Sequence, residues 1–443
     1  MSRGADYADL YAQSVAGHSI MFEDGRMDTI SSARGDGLGA RIIKGGNTIY
    51  SRSTGTTASD AAKALSTAAS AAGLSGVTSP EDATPLIELE SRLPALDAGF
   101  FHDLDKKLRG ECRYVRQLSL RYSTSLKSVS IFRGDGEGKK DTRAYTRFAA
   151  QVVLERDGKL ETGYETRALM SEAGDFWSGA EPETIAREAL DRAILMLDAA
   201  PCPAGTMMVL MDGSAGGTMI HEACGHSLEA DIIQKDFSAF RDKIGELVAN
   251  PLVTMIDDAT LPSMYGSYAF DDEGTPAERT VLIENGVLKS YMTDRLSAMI
   301  GGLRLTGNGR RESYNNLPLP RMSNTFVMPG ASKRGEMIDM TPHGLLVKKM
   351  GGGEVNPTSG DFVFYVSEGY IIENGKVGAA VRGATLTGSG PEALKNIMAV
   401  GDSLELLPGV CGKSGQGVPV TDGQPSILID NIIVGGTDTG DAI

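Results

Sequence analysis

The segment Met219-Ile220-His221-Glu222-Ala223-Cys224-Gly225-His226-Ser227-Leu228-Glu229-Ala230-Asp231 holds two of the five histidines in a chain of 443 residues. A glutamate directly follows the first of these histidines, and a glycine precedes the second. Two imidazoles and a neighbouring carboxylate are the groups that a zinc hydrolase needs. The imidazoles bind the metal, and the carboxylate takes a proton from the metal-bound water. The segment is therefore a candidate metal site.

The spacing of the two histidines constrains the local backbone. His221 and His226 are five residues apart, which separates them by about 140° on a regular helix. Side chains so far apart cannot both bind one ion at about 2.0–2.1 Å. Either the two are polar histidines on opposite faces of an ordinary helix, or the helix contains a π-type turn with one extra residue. Gly225 favours the π-type turn because it has no β-carbon to clash in a widened turn.

A catalytic zinc usually has three protein ligands, so a third ligand is required. Glu229 lies three residues after His226 and could reach the same side of a helix, and Asp231 is also near. Cys224 lies between the histidines, but its side chain should point elsewhere if both imidazoles converge. None of these three is singled out by its position alone.

Cys411 is a further candidate for the third ligand. It lies in the glycine-rich stretch 408–417, and glycines allow a loop to approach another part of the chain closely. Lys413 would favour the thiolate form of this cysteine. The alternative is an ordinary loop thiol, and the residues alone leave the choice open.

Glu222 occupies the position directly after the first histidine. In zinc peptidases, this position carries the carboxylate that takes the proton from the metal-bound water. The alternative role is a solvated helix carboxylate.

Two further segments are candidates for substrate binding. The glycine-rich segment 351–357 precedes a predicted strand and permits the close approach of a peptide backbone, although a plain bulge or hairpin bend has the same pattern. Two consecutive arginines could hold a substrate carboxylate or pair with a nearby acid. The substrate-binding candidates are Arg310, Arg311, Gly351, Gly352, Gly353 and Asn356. The acidic turn 271–274 could bind a hard cation or simply be solvated.

Composition restricts the partners and the compartment. The chain has 43 basic and 58 acidic residues and a net charge of −15, which argues against an extended nucleic-acid interface. Its four cysteines have no close pairing, so a reducing compartment fits. The first residues lack the apolar core of a signal peptide, and no apolar run approaches the ~18 residues of a membrane span. We expect a cytoplasmic protein without nucleic-acid or membrane partners.

The apolar periodicity predicts an α+β fold with two domains. We expect an N-terminal domain, 1–200, in which helices pack on an antiparallel or mixed sheet, and a C-terminal β-rich, barrel-like domain, 201–443, that carries the histidine helix. The boundary is set by the Pro- and Gly-containing stretch 200–205. The predicted helices span residues 4–14, 57–73, 100–108, 181–199 and 391–400.

Alternation of apolar and polar residues predicts the strands. In the first half, hairpins turn near residues 24–25 and 45–47, and residues 114–168 form a meander of three or four antiparallel strands. A proline-containing loop covers 74–96. In the second half, residues 206–211 form a buried strand that leads into the histidine helix. Asn-Gly pairs at 285–286 and 374–375 indicate two more hairpins.

The histidine segment closely resembles the metal-binding segment of the TldD/PmbA family. Further blocks resemble that family in the same order: Asp271–Gly274, Gly309–Arg311, Pro320–Thr325, Gly351–Phe362 and Pro408–Gln416. The first half looks like the less regular N-terminal domain of the family. The resemblance covers most of the chain, but its most specific motifs lie in the second half.

The resemblance implies a zinc metallopeptidase that acts on short or unfolded polypeptides. It implies Zn²⁺ ligands at His221, His226 and Cys411, and a general base at Glu222. The chain keeps the histidine motif, so it is similar to the TldD-type branch rather than to the TldE/PmbA-type branch, which lacks the motif. Family members enclose their substrate in a dimer, which implies a homodimer or a heterodimer with a TldE/PmbA-type subunit.

Two other functions remain open at this point. The chain could be a non-cleaving peptide-binding or maturation partner of a protease complex. Alternatively, its site could be similar to that of dipeptidyl peptidase III, which also has a His-Glu-x-x-Gly-His motif but uses a downstream glutamate as the third zinc ligand.

Overall fold

The structure is a computed structural model, and it describes residues 4–74, 85–87, 98–356 and 358–436. It is an α+β protein, which confirms the predicted fold class. Most of the predicted loop 74–96 lies outside the described residues. In the ranges that the structure describes, no helix combines the length and apolar character needed to cross a lipid bilayer.

The strands of the first half are β1 (Tyr7–Glu23), β2 (Arg26–Lys44), β3 (Asn47–Ser53), β4 (Val115–Arg133), β5 (Gly138–Arg156) and β6 (Lys159–Leu169). The strands of the second half are β7 (Ala200–Pro201), β8 (Gly205–Met211), β9 (Met255–Asp258), β10 (Arg279–Glu284), β11 (Val287–Leu288), β12 (Gly309–Arg310), β13 (Leu319–Pro320), β14 (Asn324–Val327), β15 (His343–Val355), β16 (Asp361–Glu373), β17 (Lys376–Arg382), β18 (Thr385–Ser389), β19 (Ile397–Val400), β20 (Glu405–Lys413), β21 (Gln416–Gln424) and β22 (Ile427–Gly435). The α-helices are α1 (Ala58–Ala71), α2 (Ala98–Glu111), α3 (Ala173–Ala180), α4 (Pro182–Asp198), α5 (Ala230–Gln234), α6 (Arg295–Gly301), α7 (Arg334–Asp339) and α8 (Gly390–Lys395).

The first half forms one antiparallel sheet in the order β3-β2-β1-β4-β5-β6. Within residues 118–122 of β4 and 148–154 of β5, every second side chain is apolar and packs against α2, α3 and α4, because successive side chains of a strand point to opposite faces. The predicted turn at Asp24-Gly25 is confirmed, and both residues have positive φ, as a type I′ hairpin requires. The predicted meander is confirmed as β4, β5 and β6, although its first two predicted strands are one continuous strand.

The prediction of a helix at 4–14 is wrong, because these residues begin strand β1. The residues from Tyr7 to Ser14 are all buried, so both faces of this part of the strand are covered. Leu10 packs in a cluster with α1 residues, whereas Tyr11 packs against Phe270 of the second half. A strand buried on both faces loses its alternation of apolar and polar residues, and the remaining spacing imitates that of a helix.

The second half contains a closed barrel of five strands. β15 pairs with β8, β8 with β22, β22 with β18, β18 with β16, and β16 again with β15. A second sheet has the order β11-β10-β9-β14-β21-β20. The predicted β-rich, barrel-like second half is thus confirmed, whereas the division into domains at residues 200 and 201 stays a prediction.

The predicted hairpins at Asn285-Gly286 and Asn374-Gly375 are confirmed, and all four residues have positive φ. The predicted helix 391–400 is correct only in its first part. Helix α8 ends at Lys395, and the apolar residues that follow form β19, which pairs with β22 in the barrel. Pairing with an existing strand therefore outweighs local helix preference here.

Buried ion pairs join the first sheet to the second half. Arg143 of β5 lies 2.9 Å from the Asp272 carboxylate, and Arg41 of β2 lies 2.6 Å from that of Glu273. These residues of the acidic turn are buried and bound by arginines. The turn is neither a solvated loop nor an open cation site, because the first sheet supplies its counter-charges.

The packing of α4 on β6 predicts a strict size limit at Gly163. A β-carbon there would overlap the main-chain carbonyl of Ala189 in α4, and backbone cannot move aside cheaply. Gly163→Ala should destabilise the protein by about 1–3 kcal/mol, measured by denaturant or thermal unfolding. Gly174→Ala is the matched control, because a β-carbon at Gly174 meets nothing within 4 Å. An unchanged unfolding midpoint for Gly163→Ala would contradict this packing.

Candidate metal centre

The histidine segment contains a π-helical turn, Ile220–Gly225. The backbone N–H of His226 donates to the carbonyl oxygen of His221, five residues earlier, instead of to the usual fourth residue. The two imidazole rings lie on the same side, with centroids 5.1 Å apart and planes at 89°. The predicted extra residue in this turn is confirmed.

Gly225 allows close packing against this turn, which is not the reason that the spacing suggested. Its backbone angles, φ −59° and ψ −53°, are those of an ordinary helical residue. A β-carbon at this position would overlap the sulfur of Met322, which precedes β14. A side chain here would therefore have to displace the buried Met322 side chain, whereas the wide turn itself makes no special demand on the backbone of Gly225.

Cys411, on β20, lies beside both histidines. Its Sγ is 3.3 Å from Nε2 of His226, and one ligand atom from each of the three residues lies within 4.8 Å of the others. Atoms bonded at about 2.0–2.3 Å to one tetrahedral zinc are roughly 3.3–3.8 Å apart. The arrangement therefore has nearly the size that a shared ion requires.

The cysteine of this cluster favours the thiolate form. Burial alone would raise the pKa of Cys411, but hydrogen bonds and charge interactions with His221 and His226 outweigh burial and lower its pKa to about 5. Burial alone would lower the pKa of His221, but its hydrogen bond and charge interaction with Cys411 outweigh burial and raise that pKa. A buried thiolate beside two imidazoles is a ligand set that zinc accepts.

Glu229 orients the His226 ring through a hydrogen bond to its Nδ1. Nδ1 of His226 donates to the Glu229 carboxylate at 2.8 Å, which leaves Nε2 directed towards Cys411. Glu229 is completely buried, and Lys413 donates to the same carboxylate oxygen at 2.9 Å. Burial would raise the pKa of Glu229, but Lys413 and His226 lower it to about 2. Glu229 thus contacts the back of the ring rather than the point where the three ligand atoms meet.

The other sequence candidates lie away from that point. The Asp231 carboxylate accepts a hydrogen bond from Lys413 at 2.6 Å. Lys413 therefore pairs with two carboxylates, and the expectation that it favours the Cys411 thiolate is wrong, because the histidines have that effect. Cys224 is buried in the core, and burial raises its pKa to about 12.

A cavity of about 510 Å³ borders the cluster, and we call it the site cavity. His221 and Glu222 form part of its wall. The Glu222 side chain is 41% exposed, and its carboxylate lies 3.9 Å from Nε2 of His226. Glu222 is thus both close to the cluster and accessible to water in the cavity.

Asp422 of β21 also lines the site cavity, and no motif in the sequence points to it. Burial raises the pKa of Asp422, and the charges of Glu222 and Cys411 add to this shift, whereas His221 opposes it. Asp422 reaches the cavity because β21 pairs with β20 and places it opposite Leu407. Only knowledge of that pairing could have found it.

Arg310 and Arg311 do not line the site cavity. Both are buried. The guanidinium of Arg310 donates to the carbonyl oxygens of Met322 and Pro419 at 2.5 and 2.7 Å. That of Arg311 donates to the carbonyl oxygen of Asp272 at 3.0 Å. These contacts give both arginines a structural role, so the geometry does not support a substrate-binding role.

The glycine-rich segment divides into two parts. Gly351 and Gly352 line the site cavity, where they leave room for another backbone. Gly353 lies outside it, and a β-carbon there would overlap Phe364 of the paired strand β16. Asn356 is also outside the cavity, and its side-chain oxygen accepts a hydrogen bond from the N–H of Thr358 at 3.0 Å.

Comparison with protein families covers both halves of the chain. Residues 204–436 match the model described as PmbA/TldA metallopeptidase C-terminal domain, and residues 8–72 match PmbA/TldA metallopeptidase domain 1. The chain is 37% identical to a metalloprotease TldD homolog of Haemophilus influenzae, over 98% of this chain and 94% of that protein.

The chain belongs to the TldD/PmbA family.

Other TldD/PmbA relatives extend the comparison. A zinc metalloprotease TldD homolog of Saccharolobus solfataricus is 31% identical over 64% of each chain. Among solved structures, TldE from Thermococcus kodakarensis has a TM-score of 0.75 at 17% identity and covers 98% of both chains. That likeness shows a shared fold.

The contacts of Glu229 predict a role in metal affinity. Glu229→Gln keeps the shape of the side chain but removes the charge that orients His226, so zinc affinity should fall about 10–100-fold. Competition with a chromophoric chelator would measure this affinity. Glu222→Gln is the matched control and should bind zinc as the unmodified protein does. Equal affinities for all three proteins would contradict the role of Glu229.

Proposed function

We propose that this TldD/PmbA member is a zinc-dependent metallopeptidase that hydrolyses peptide bonds in short or unfolded polypeptides. One observation carries the proposal: His221, His226 and Cys411 converge at the wall of a cavity that also exposes the Glu222 carboxylate. The names of its relatives, metalloprotease and zinc metalloprotease, support the same activity.

The three converging residues fit a zinc ion. They offer two imidazoles and one thiolate, and Nδ1 of His221 is buried without a hydrogen-bond partner in the part of the chain that the structure describes. His221, His226 and Cys411 would hold the metal. Bound zinc supplies Lewis acidity, which polarises a carbonyl and lowers the pKa of water towards ~7.

Glu222 moves the proton during hydrolysis. Its carboxylate is close enough to His226 to reach a water molecule beside the cluster, and it is open to the site cavity. The carboxylate accepts a proton from the attacking water and then transfers it to the leaving amine. Meanwhile, Glu229 holds the His226 ring so that Nε2 keeps its direction.

The shape of the cavity favours an extended polypeptide as the substrate. Gly351 and Gly352 form one wall, and Pro408 and Gly409 of β20 form another, so little side-chain volume opposes a passing backbone. A folded surface does not enter such a space. The resemblance to a family that encloses its substrate in a dimer supports assembly as a dimer, either with itself or with a TldE/PmbA-type subunit.

The role of Glu222 predicts a separation of metal binding from hydrolysis. Glu222→Gln should keep its zinc, because Glu222 is not one of the converging ligands, and should lose at least about 10²–10⁴-fold in kcat. Zinc per subunit and cleavage of an unfolded protein are the measurements. Full activity in this variant would remove the assignment.

The same assay tests the non-cleaving alternative. A strong chelator should stop cleavage by the unmodified protein, and added zinc should restore it. If the zinc-loaded protein binds unfolded chains but never cleaves them, the peptide-binding or maturation role replaces the peptidase.

The role of Cys411 predicts the effect of removing its thiol. Cys411→Ala should lose most of its zinc, because two imidazoles alone do not complete a three-ligand site. Cys112→Ala is the matched control, since Cys112 is buried in the helical core of the first half, and it should keep its zinc. Full zinc content in Cys411→Ala would instead favour the dipeptidyl peptidase III type of site, in which a glutamate is the third ligand.

A further inference from the structure

A second cavity lies on the first sheet, on the face opposite to its helices. Its volume is about 460 Å³, within the range of about 300–1,000 Å³ found for ligand-binding clefts. Along β4, Leu118, Leu120 and Tyr122 face the helices. Arg121 and Ser123 therefore face the cavity. We call it the arginine groove.

The arginine groove differs in charge from the rest of the protein. Its described lining residues include Arg121 and Arg147 but neither Asp nor Glu, although the chain carries a net charge of −15. Most arginines elsewhere in the structure pair with a carboxylate. Among the described residues, neither of these two arginines has a carboxylate within ion-pair distance. An acidic protein thus presents a local anion-binding surface.

The guanidinium groups of the groove have donors to spare. Arg121 is exposed, and its guanidinium makes no hydrogen bond to any residue in the described ranges. Arg147 uses Nε for the hydroxyl of Thr166 at 3.2 Å and one Nη for the hydroxyl of Tyr164 at 2.9 Å. Its other Nη has no acceptor within those ranges. These free donors match the geometry of a carboxylate, which guanidinium binds with paired hydrogen bonds.

The arginine groove adjoins the site cavity. Tyr164 lines both spaces, and it lies on β6, the edge strand of the first sheet. An extended polypeptide that passes Glu222 in the site cavity can therefore continue over Tyr164 into the groove.

We propose that the arginine groove binds acidic side chains of the substrate in the segment that flanks the scissile bond. The protein therefore prefers polypeptides with clustered Asp or Glu residues on that side. This inference rests on the proposed peptidase function and names its substrate class. Arg121 and Arg147 contact the flanking segment and not the reacting atoms, so they act on KM rather than on kcat.

Two peptides of equal length and equal scissile sequence test this preference. They differ only in the flanking segment, which carries Glu in one and Gln in the other. The unmodified protein should cleave the Glu peptide with a kcat/KM about five- to tenfold higher, mainly through KM, because the Glu carboxylate gains a charge-assisted hydrogen bond that the neutral Gln amide lacks. The preference should shrink as ionic strength rises.

Substitution of Arg121 locates the preference in the groove. Arg121→Glu should abolish or reverse the preference for the Glu peptide, because it replaces a guanidinium with a carboxylate that repels an acidic flanking segment. Arg279→Glu makes the same change of charge at an exposed arginine of β10, outside both cavities, and should keep the preference. Fluorescence anisotropy with labelled peptides and the Glu222→Gln variant gives the same comparison as affinity, without cleavage.

The outcomes separate this inference from the proposed function. Equal kcat/KM and equal affinity for the two peptides, or a preference that survives Arg121→Glu, overturns the inference while peptidase activity stands. Absence of cleavage together with selective binding of the Glu peptide overturns the peptidase function but supports the groove. If neither peptide binds, the groove does not hold the flanking segment, and the inference is overturned.

Discussion

The candidate site depends on a single backbone hydrogen bond, from the N–H of His226 to the carbonyl oxygen of His221. It widens one helical turn by one residue, and the two imidazoles converge only because of that residue. Surrounding packing stabilises the wide turn, since Ile220 and Cys224 are completely buried in the main core of the second half. Met322 fills the space that a side chain at Gly225 would occupy. The convergence of the two histidines is therefore a property of the core of the second half as much as of the segment.

Strand alternation supplies the rest of the centre. Cys411 and Lys413 are two residues apart on β20, so their side chains point to the same face. The first approaches Nε2 of His226, and the second binds Glu229, which holds the other nitrogen of the same ring. Strand β20 thus brings Cys411 to the cluster. Its Lys413 also neutralises the buried Glu229 carboxylate, which orients His226. In a site of low dielectric constant, this pairing offsets part of the desolvation cost of the buried Glu229 charge.

The sequence predicted what local chemistry determines. The π-type turn followed from a five-residue spacing, and the hairpins followed from Asn-Gly and Asp-Gly pairs with positive φ. Features that depend on distant contacts were missed or misread. Strand β1 resembled a helix because both of its faces are buried, and Asp422 enters the site cavity only through the pairing of β20 with β21. The position of Lys413 near Cys411 in the sequence predicted that it would favour the thiolate, but its ammonium group pairs with the carboxylates of Glu229 and Asp231.

Arg311, one of the two consecutive arginines, helps to hold the first sheet beside the candidate site, although the sheet supplies no candidate ligand. Arg311 is buried against the ring of Tyr11 in β1 and bound to Asp272, whose carboxylate pairs with Arg143 of β5. Buried ion pairs contribute little net stability, but removing one partner is costly, so they hold a single arrangement of the parts that they join. The sheet is thereby held against the second half, and Tyr164 at its edge lines the site cavity. Arg311, a candidate substrate ligand in the sequence, instead helps to position one wall of that cavity.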